Sequence, residues 1–495
     1  MKLHGKHANS LADRDRITTL RTHHAFWHKA DKRSITKIRG QGRCVVSPLI
    51  SMAYYMGMDF GTSGARLTVI EDDGSTVFET KRAYAHAEQD WSSAWERLLW
   101  ELLDSVPEKI RSEVVSVAFD GTSATSILVN QVDGKVLAPV KLYNEAQAEQ
   151  AVQAVKAIAP ASHTTSASTS TLCKLMAWHL EEVWQQAESH GMKPCLMHQA
   201  DWLASLLHGS RSVSDWNNAL KLGFDPETEA YPEWLNNQAF SHLLPSTVLA
   251  PGSPVAPLTA AAALRSGLPG SINGSSQPGC LVCAGTTDSI AAFVAAGVTE
   301  AGQAVTSLGS TLAIKMLSQT RVDDATYGVY SHRLGNSWLV GGASNTGGAV
   351  LRKFFADSEL HSLTQKMDLS CPTGLDYYPL VKPGERFPIN DPGLRPRLEP
   401  RPADNVVFLQ GVLESMARIE GEAYKLLVQL GASPAVTEVL TAGGGAVNEM
   451  WTQLRAGAIG VPVSAAKHGD ASYGAALLAR QGWRSHCSAQ TKKES

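Results

Sequence analysis

At 495 residues, with 43% hydrophobic and 18% charged side chains, the chain is too long for one simple core and predicts two domains of ordinary size in a globular protein. Its net charge of −3 conceals an asymmetry: residues 1–50 carry eleven Lys or Arg against three Asp, and the remainder thirty-three against forty-four. The acidic body argues against a nucleic-acid partner, and no apolar run approaches the roughly 20 residues that span a bilayer, so the mature protein reads as soluble, with no membrane association.

The basic head, residues 1–50, bears hydroxyls and histidines and reads as an organelle transit peptide, although Asp13, Asp15 and Asp31 depart from the acid-poor pattern. A plain solvated head is the alternative. Processing is expected at "GRCVVS" (42–47). Seven scattered cysteines make no disulfide framework, which fits a reducing compartment. Cys280 and Cys283 in "CLVC" have redox spacing but no second pair, so buried strand thiols are expected.

The first strong element is "YMGMDFGTSGARLTVI" (55–70), two apolar, strand-like runs around Asp59 and a turn of Gly61, Thr62 and Ser63. Glycine lets the backbone approach a ligand, and successive N–H groups of a tight turn form a concave anion site to which hydroxyls add donors. "VVSVAFDGTSATSILV" (114–129) reads as the same design, strand, Asp120-Gly121-Thr122-Ser123, strand. "CLVCAGTTDSIAAFVAAGV" (280–298) runs from a strand into an Ala-rich helix whose start carries Asp288, either a plain N-cap or a catalytic base.

A third turn, Gly309-Ser310-Thr311 in "AVTSLGSTLAIKM" (304–316), follows the first by about 250 residues and suggests a duplicated domain. One such turn alone reads as an ordinary hairpin; three, two of them with Asp, do not. The chain has no Walker-type P-loop and no protein-kinase motif. "VVFLQGVLESMARIEGEAYKLLVQLG" (406–431) reads as one scaffold helix stopped by Gly431. The strand "VTEVLTAGGG" (436–445) then opens through three glycines onto a helix and a further strand, "AVNEMWTQLRAGAIGVPV" (446–463). Glycines there permit a flat ring or a diphosphate to lie on backbone, although a close-packed turn would read the same way.

These ordered segments resemble the FGGY carbohydrate kinases over about residues 54–482. "MGMDFGTSGARLTVI" is similar to the first phosphate motif, "SLGSTLAIK" to the second, "TAGGGAVNEMWTQLRAGAIGVPV" to the adenosine motif, and "AGTTDSIAA" to the segment bearing the catalytic aspartate. "VSDWNNALKLGFD", "GGASNTGGAVL" and "ASYGAALLA" are further matches. "AFDGTSAT" and "HQADWL" are most similar to the D-ribulose kinases of chloroplasts and cyanobacteria, with which a plastid address agrees. "KLYNEAQAE" (141–149) departs from the W-N-D-x-R of many relatives, and "HGDASYGAA" lacks a glutamate often present there.

The resemblance implies an α/β protein of two duplicated actin-like ATPase (ribonuclease H-like) domains, 54–297 for sugar and phosphate and 298–482 for nucleotide, with the active site in the cleft between them. The last helix would pack back on the first domain, and 483–495 would be a tail. It implies ATP and Mg2+ as cofactors, a small sugar substrate, and a monomer or homodimer in the plastid stroma, or in the cytoplasm if the head is no transit peptide.

By the same resemblance Asp288 would be the catalytic base. Asp59 would hold Mg2+ through water near the reacting hydroxyl, and Ser123 would contact the sugar. Gly61, Thr62, Ser63, Gly309, Ser310 and Thr311 would cradle phosphates, and Gly444, Gly445, Asn448 and Trp451 would line the nucleotide pocket. The implied reaction is phosphorylation of a ketopentose, D-ribulose ahead of D-xylulose or another polyol or ketose. A nucleotide-dependent clamp or a catalytically silent sugar sensor on the same fold is the reading from another class.

Overall fold

The computed structural model describes residues 53–85, 88–271 and 279–494; the basic head and the segment where processing is expected lie outside them. In the first half the strands are β1 (Tyr54–Phe60), β2 (Gly64–Ile70), β3 (Thr76–Ala83), β4 (Val114–Gly121), β5 (Ser126–Asn130), β6 (Pro194–His198), β7 (Val213–Asp215), β8 (Thr247–Leu249), β9 (Pro254–Pro257), β10 (Leu281–Cys283) and β11 (Thr286–Thr287). The second half adds β12 (Gln303–Leu308), β13 (Leu312–Ser318), β14 (Tyr330–Leu334), β15 (Ser337–Ser344), β16 (Glu438–Ala442) and β17 (Val463–Ala465).

Two sheets of one design emerge. The first has the order β3-β2-β1-β4-β10-β9, with β11 beside β4, and the second β14-β15-β13-β12-β16-β17. In each, an antiparallel hairpin (β1–β2, β12–β13) gains a third antiparallel strand on one side and a parallel strand on the other. In the first sheet the parallel strands β1, β4 and β10, buried on both faces, are near-continuous apolar runs of the sequence; every residue of β1 is buried.

The 114–129 segment corrects the sequence reading. β4 and β5 are not a hairpin: β4 lies parallel to β1, and β5 pairs antiparallel with β6, outside both large sheets. The intervening residues turn the chain away. Thr122 donates from its N–H and its hydroxyl to Gln199 Oε1, at 2.9 and 2.8 Å, and Ala124 adopts φ of +67°, a left-handed conformation uncommon for a residue with a Cβ.

Helices cover the sheets. Asn405–Gln429 starts on the Asp404 carboxylate, which accepts from Val406 N, and ends before Gly431 at φ +114°. Its Phe408, Val412, Met416 and Tyr424 enter the core of the second sheet. A buried network pins it: Arg455 Nε and Nη2 donate to Glu420 at 2.6 and 2.8 Å, Arg455 Nη1 to Thr441 at 2.6 Å, and Thr306 Oγ1 to Glu420.

The last helix, Ala471–Glu494, lies instead on the first sheet, packing Tyr473, Ala476 and Ala479 with Tyr55, Ile70 and Ala118. Its helix formers run on past Gly482 without a breaker, so the segment read as a tail is helical as far as Glu494. Cys280 and Cys283 are buried and unbridged.

Candidate active site

The register of the first sheet brings three acids together. Asp59, next to last in β1, faces Asp120 on parallel β4, and Asp120 in turn faces Thr286 of β11, two residues before Asp288. Asp59 is 2% exposed; Arg66, across the hairpin, donates to its Oδ2 at 3.0 Å, while Oδ1 is buried without a partner. Asp120 is fully buried and neither of its oxygens has a donor.

Burial, then the charge of Asp59, pushes the Asp120 carboxyl well above the usual carboxylate range. Two carboxyl groups side by side cannot both ionise cheaply. Burial raises the Asp59 carboxyl as well, while a hydrogen bond from Asp120 and the Arg66 guanidinium pull it down; of the two, Asp120 is pushed further and holds the proton the pair shares.

Asp288 is the first residue of the helix Asp288–Ala295 and accepts from Ser289 N at 2.7 Å. It is half-buried. Burial raises its carboxyl above the ordinary value, the Ser289 N–H opposes this, the charge of Asp59 adds to it, and Lys315 and Lys221 oppose it. Thr286 is held from the other side by Asn217 Nδ2 at 3.0 Å. Ser123 sits half-buried in the loop after β4, where Lys174 Nζ donates to Ala124 O at 2.6 Å.

In the second half a cleft of about 1030 Å³ is lined by Gly309, Ser310, Arg352, Gly444, Asn448 and Trp451 among others. Gly309 and Ser310 of the turn line it and are held in place: Gly348 N and Ala349 N donate to Gly309 O and Ser310 O at 2.9 and 3.1 Å, and Arg352 Nη2 to Ser310 Oγ at 2.8 Å. The three glycines divide the work. A Cβ on Gly443 would stand 2.7 Å from Leu308 O and one on Gly445 2.7 Å from Leu308 Cβ, whereas one on Gly444 would meet open space.

The structure thus gathers Gly309, Ser310, Gly444, Gly445, Asn448 and Trp451 around one cleft, with Thr311 on the turn beside it. Gly61, Thr62 and Ser63 are not among its lining; they form the turn of the first hairpin, where Thr62 and Ser63 are exposed. Trp451, 2% exposed, is wall rather than open contact surface, and Asn448 Oδ1 caps the helix Glu449–Ile459 on Trp451 N at 3.0 Å.

Sequence reasoning passed over Arg66, Arg352 and Lys315, and left Asp120 without a role. Lys315 alone carried a signal, as a lysine inside an apolar strand.

Residues 304–483 match the model of the FGGY family of carbohydrate kinases, C-terminal domain. Over that stretch the chain is similar to the FGGY carbohydrate kinases. A xylulose kinase of Staphylococcus xylosus is 21% identical over 459 residues, covering 87% of this chain and 91% of that protein. A ribulokinase of Shouchella clausii is 22% identical over 312 residues, 54% of each. The crystal structure of a xylulose kinase from Brucella ovis superposes with a TM-score of 0.72 at 21% identity, over 87% of this chain and 91% of that one. The chain therefore has the two-sheet actin-like ATPase fold of these sugar kinases. Among the described residues no helix is long and apolar enough to cross a membrane.

Proposed function

We propose that the protein transfers the γ-phosphoryl group of ATP to the terminal C5 hydroxyl of a ketopentose, D-ribulose in preference to D-xylulose, giving D-ribulose 5-phosphate. The observation that carries the reading is Asp288, a half-buried carboxylate at a helix start that feels the charge of Asp59, in a chain whose second half holds a glycine-lined cleft with its own phosphate-type turn. The xylulose kinases and ribulokinase among its relatives support a pentulose. The choice of D-ribulose rests on the resemblance of "AFDGTSAT" and "HQADWL".

In this reading the sugar hydroxyl approaches the γ-phosphorus while Asp288 accepts its proton, and Ser123 orients the sugar. Gly61, Thr62, Ser63 and the Gly309-Ser310-Thr311 turn hold phosphates; Gly444, Gly445, Asn448 and Trp451 seat the nucleoside. Phosphoryl transfer has a loose transition state, so positioning and charge matter more than a strong base.

Asp59 fits a magnesium ion carried by nucleotide phosphates: its Oδ1 is buried and orphaned, and such an ion needs one or two carboxylates, with phosphate and water completing the shell. When bound it neutralises phosphate charge. Closure of the two halves over the site excludes water as a rival acceptor.

The test is kcat/KM for D-ribulose and D-xylulose with one preparation. They differ at C3 alone, and an unpaired buried polar group costs about 1–3 kcal/mol, or roughly five- to more than a hundredfold. A higher value for D-xylulose, or activity on glycerol or ketohexoses only, overturns the sugar assignment; ADP release that ignores added sugar overturns the reaction. We further place the mature protein in the plastid stroma on the charge of residues 1–50, and failure of that segment to import a fluorescent fusion into chloroplasts would refute it.

A further inference from the structure

Strand β13 alternates two faces. Leu312, Ile314 and Met316 enter the core of the second half, while Leu317 packs with Val305 and Leu339 against Ile290 and Phe293 of the helix that Asp288 begins. By the strand period Lys315 shares the Leu317 face. An ammonium therefore stands where an aliphatic side chain would extend an apolar contact. Its cross-strand partner is Gly341, where a Cβ would lie 2.9 Å from Lys315 Cγ; glycine there leaves room for the lysine stem.

Lys315 Nζ donates to Ser289 O at 3.0 Å, one residue beyond Asp288. That occupies one of three N–H donors. Lys315 forms no ion pair among the described residues, and the carboxylate whose charge it feels is that of Asp288. Burial holds its pKa down to about 8, so it is still cationic near neutrality. A half-buried cation with two donors to spare, beside a proton acceptor and on the strand that leads out of the Gly309–Thr311 turn, complements an anion such as a phosphoryl group.

We propose that Lys315 is a catalytic residue that binds the phosphoryl group in flight, its two remaining N–H donors meeting non-bridging phosphoryl oxygens. The inference rests on the phosphoryl-transfer reading above. As the bond from the sugar oxygen to phosphorus forms and the bond from phosphorus to the ADP oxygen breaks, the hydroxyl proton passes to Asp288, and Lys315 keeps its own. The cation comes from the nucleotide half while the base belongs to the helix facing it, so charge stabilisation is complete only when β13 and that helix are in contact, as they are here.

The experiment compares Lys315→Met, Lys315→Gln and Lys315→Arg with the wild type. The expected result is a loss of kcat of about 10²-fold or more for Met and Gln, nucleotide and free-sugar Kd within about threefold, weaker binding of the sugar phosphate, and partial recovery in Lys315→Arg. Methionine matches the stem and keeps the fold measurable by thermal melting if glutamine does not.

A folded Lys315→Met enzyme with kcat within threefold of wild type overturns the proposal. So does an equal loss of affinity for sugar and sugar phosphate, which would mark packing rather than charge. If the wild type phosphorylates no pentulose, the reaction reading fails first and inorganic phosphate still decides Lys315: a phosphate-dependent rise in Tm that Lys315→Met abolishes supports it, and an equal rise in both overturns it.

Discussion

Asp288 and Asp120 carry the same side chain and differ by their surroundings. Asp288, half-buried at a helix start, has its carboxyl raised by burial and drawn back by the Ser289 N–H, Lys315 and Lys221; Asp120, sealed beside Asp59, is pushed well above the usual range. Asp288→Asn is expected to lower kcat by 10²- to 10⁴-fold, the range about which general-base removal costs, with nucleotide Kd within a few fold; full turnover would show that the carboxylate is only a helix cap. Because burial raises the Asp288 carboxyl, kcat/KM should fall on acidification at a pH above that of a free aspartate, and the pH–rate profile reads this directly.

For Asp120 the linkage runs the other way from a salt-bridged acid. A raised folded pKa contributes stability that is full below the unfolded value of 3.8 and is lost as pH rises from there through the folded pKa. Asp120→Asn removes that loss, so the variant should gain in Tm over wild type as pH increases from about 4. A difference in Tm that does not change with pH would mean Asp120 is ionised.

At the scale of elements, the strand-to-helix junction at 443–445 looks like one glycine tract in sequence and is three different positions in space. Gly443 adopts φ of +86° and Gly445 presses on Leu308, so both serve packing, while Gly444 faces the cleft. Gly444→Val should therefore fold normally and raise KM for ATP. Gly445→Val should lower stability by about 1–3 kcal/mol, the usual cost of overpacking, as read by urea unfolding. Equal behaviour of the two variants would make the tract a plain packing turn. The two phosphate-type hairpins were legible for a local reason, since Gly61 and Gly309 interrupt β-branched and aliphatic runs at the right spacing. The 114–129 segment has the same local pattern and became something else, because Gln199 competes for the Thr122 N–H and β6 competes for β5.

Across the whole molecule, the last helix ties the end of the described chain to the first sheet. Thr68 and Ser472 hydroxyls meet at 2.8 Å, Ser116 Oγ donates to Ala479 O at 2.8 Å, and glycines let backbones touch: a Cβ on Gly57 would lie 2.0 Å from Ser472 O, and one on Gly474 1.9 Å from Ala291 O. Since the helix bearing Asp288 packs on this same helix, Gly474→Val should destabilise the fold by about 3 kcal/mol or more, above the usual overpacking range because backbone rather than a side chain must move, and should cut activity with it. An unchanged urea midpoint would show that the last helix is a loosely attached appendage.

What the sequence alone determined is what neighbours in the chain can decide: strands from aliphatic runs, turns from Gly-Thr-Ser and Gly-Ser-Thr, the scaffold helix that stops at Gly431, and the ordered motifs that resemble the FGGY kinases. The rest depended on partners far along the chain. Asp120 became a buried neutral acid because β1 lies beside β4, 61 residues apart at Asp59↔Asp120, and Lys315 became half-buried beside Asp288 because β13 packs on a helix that precedes it. Only tertiary structure decides such features, since strand pairing, desolvation and the charges that shift a carboxyl or an ammonium are set by groups brought together through space, which no local pattern of residues encodes.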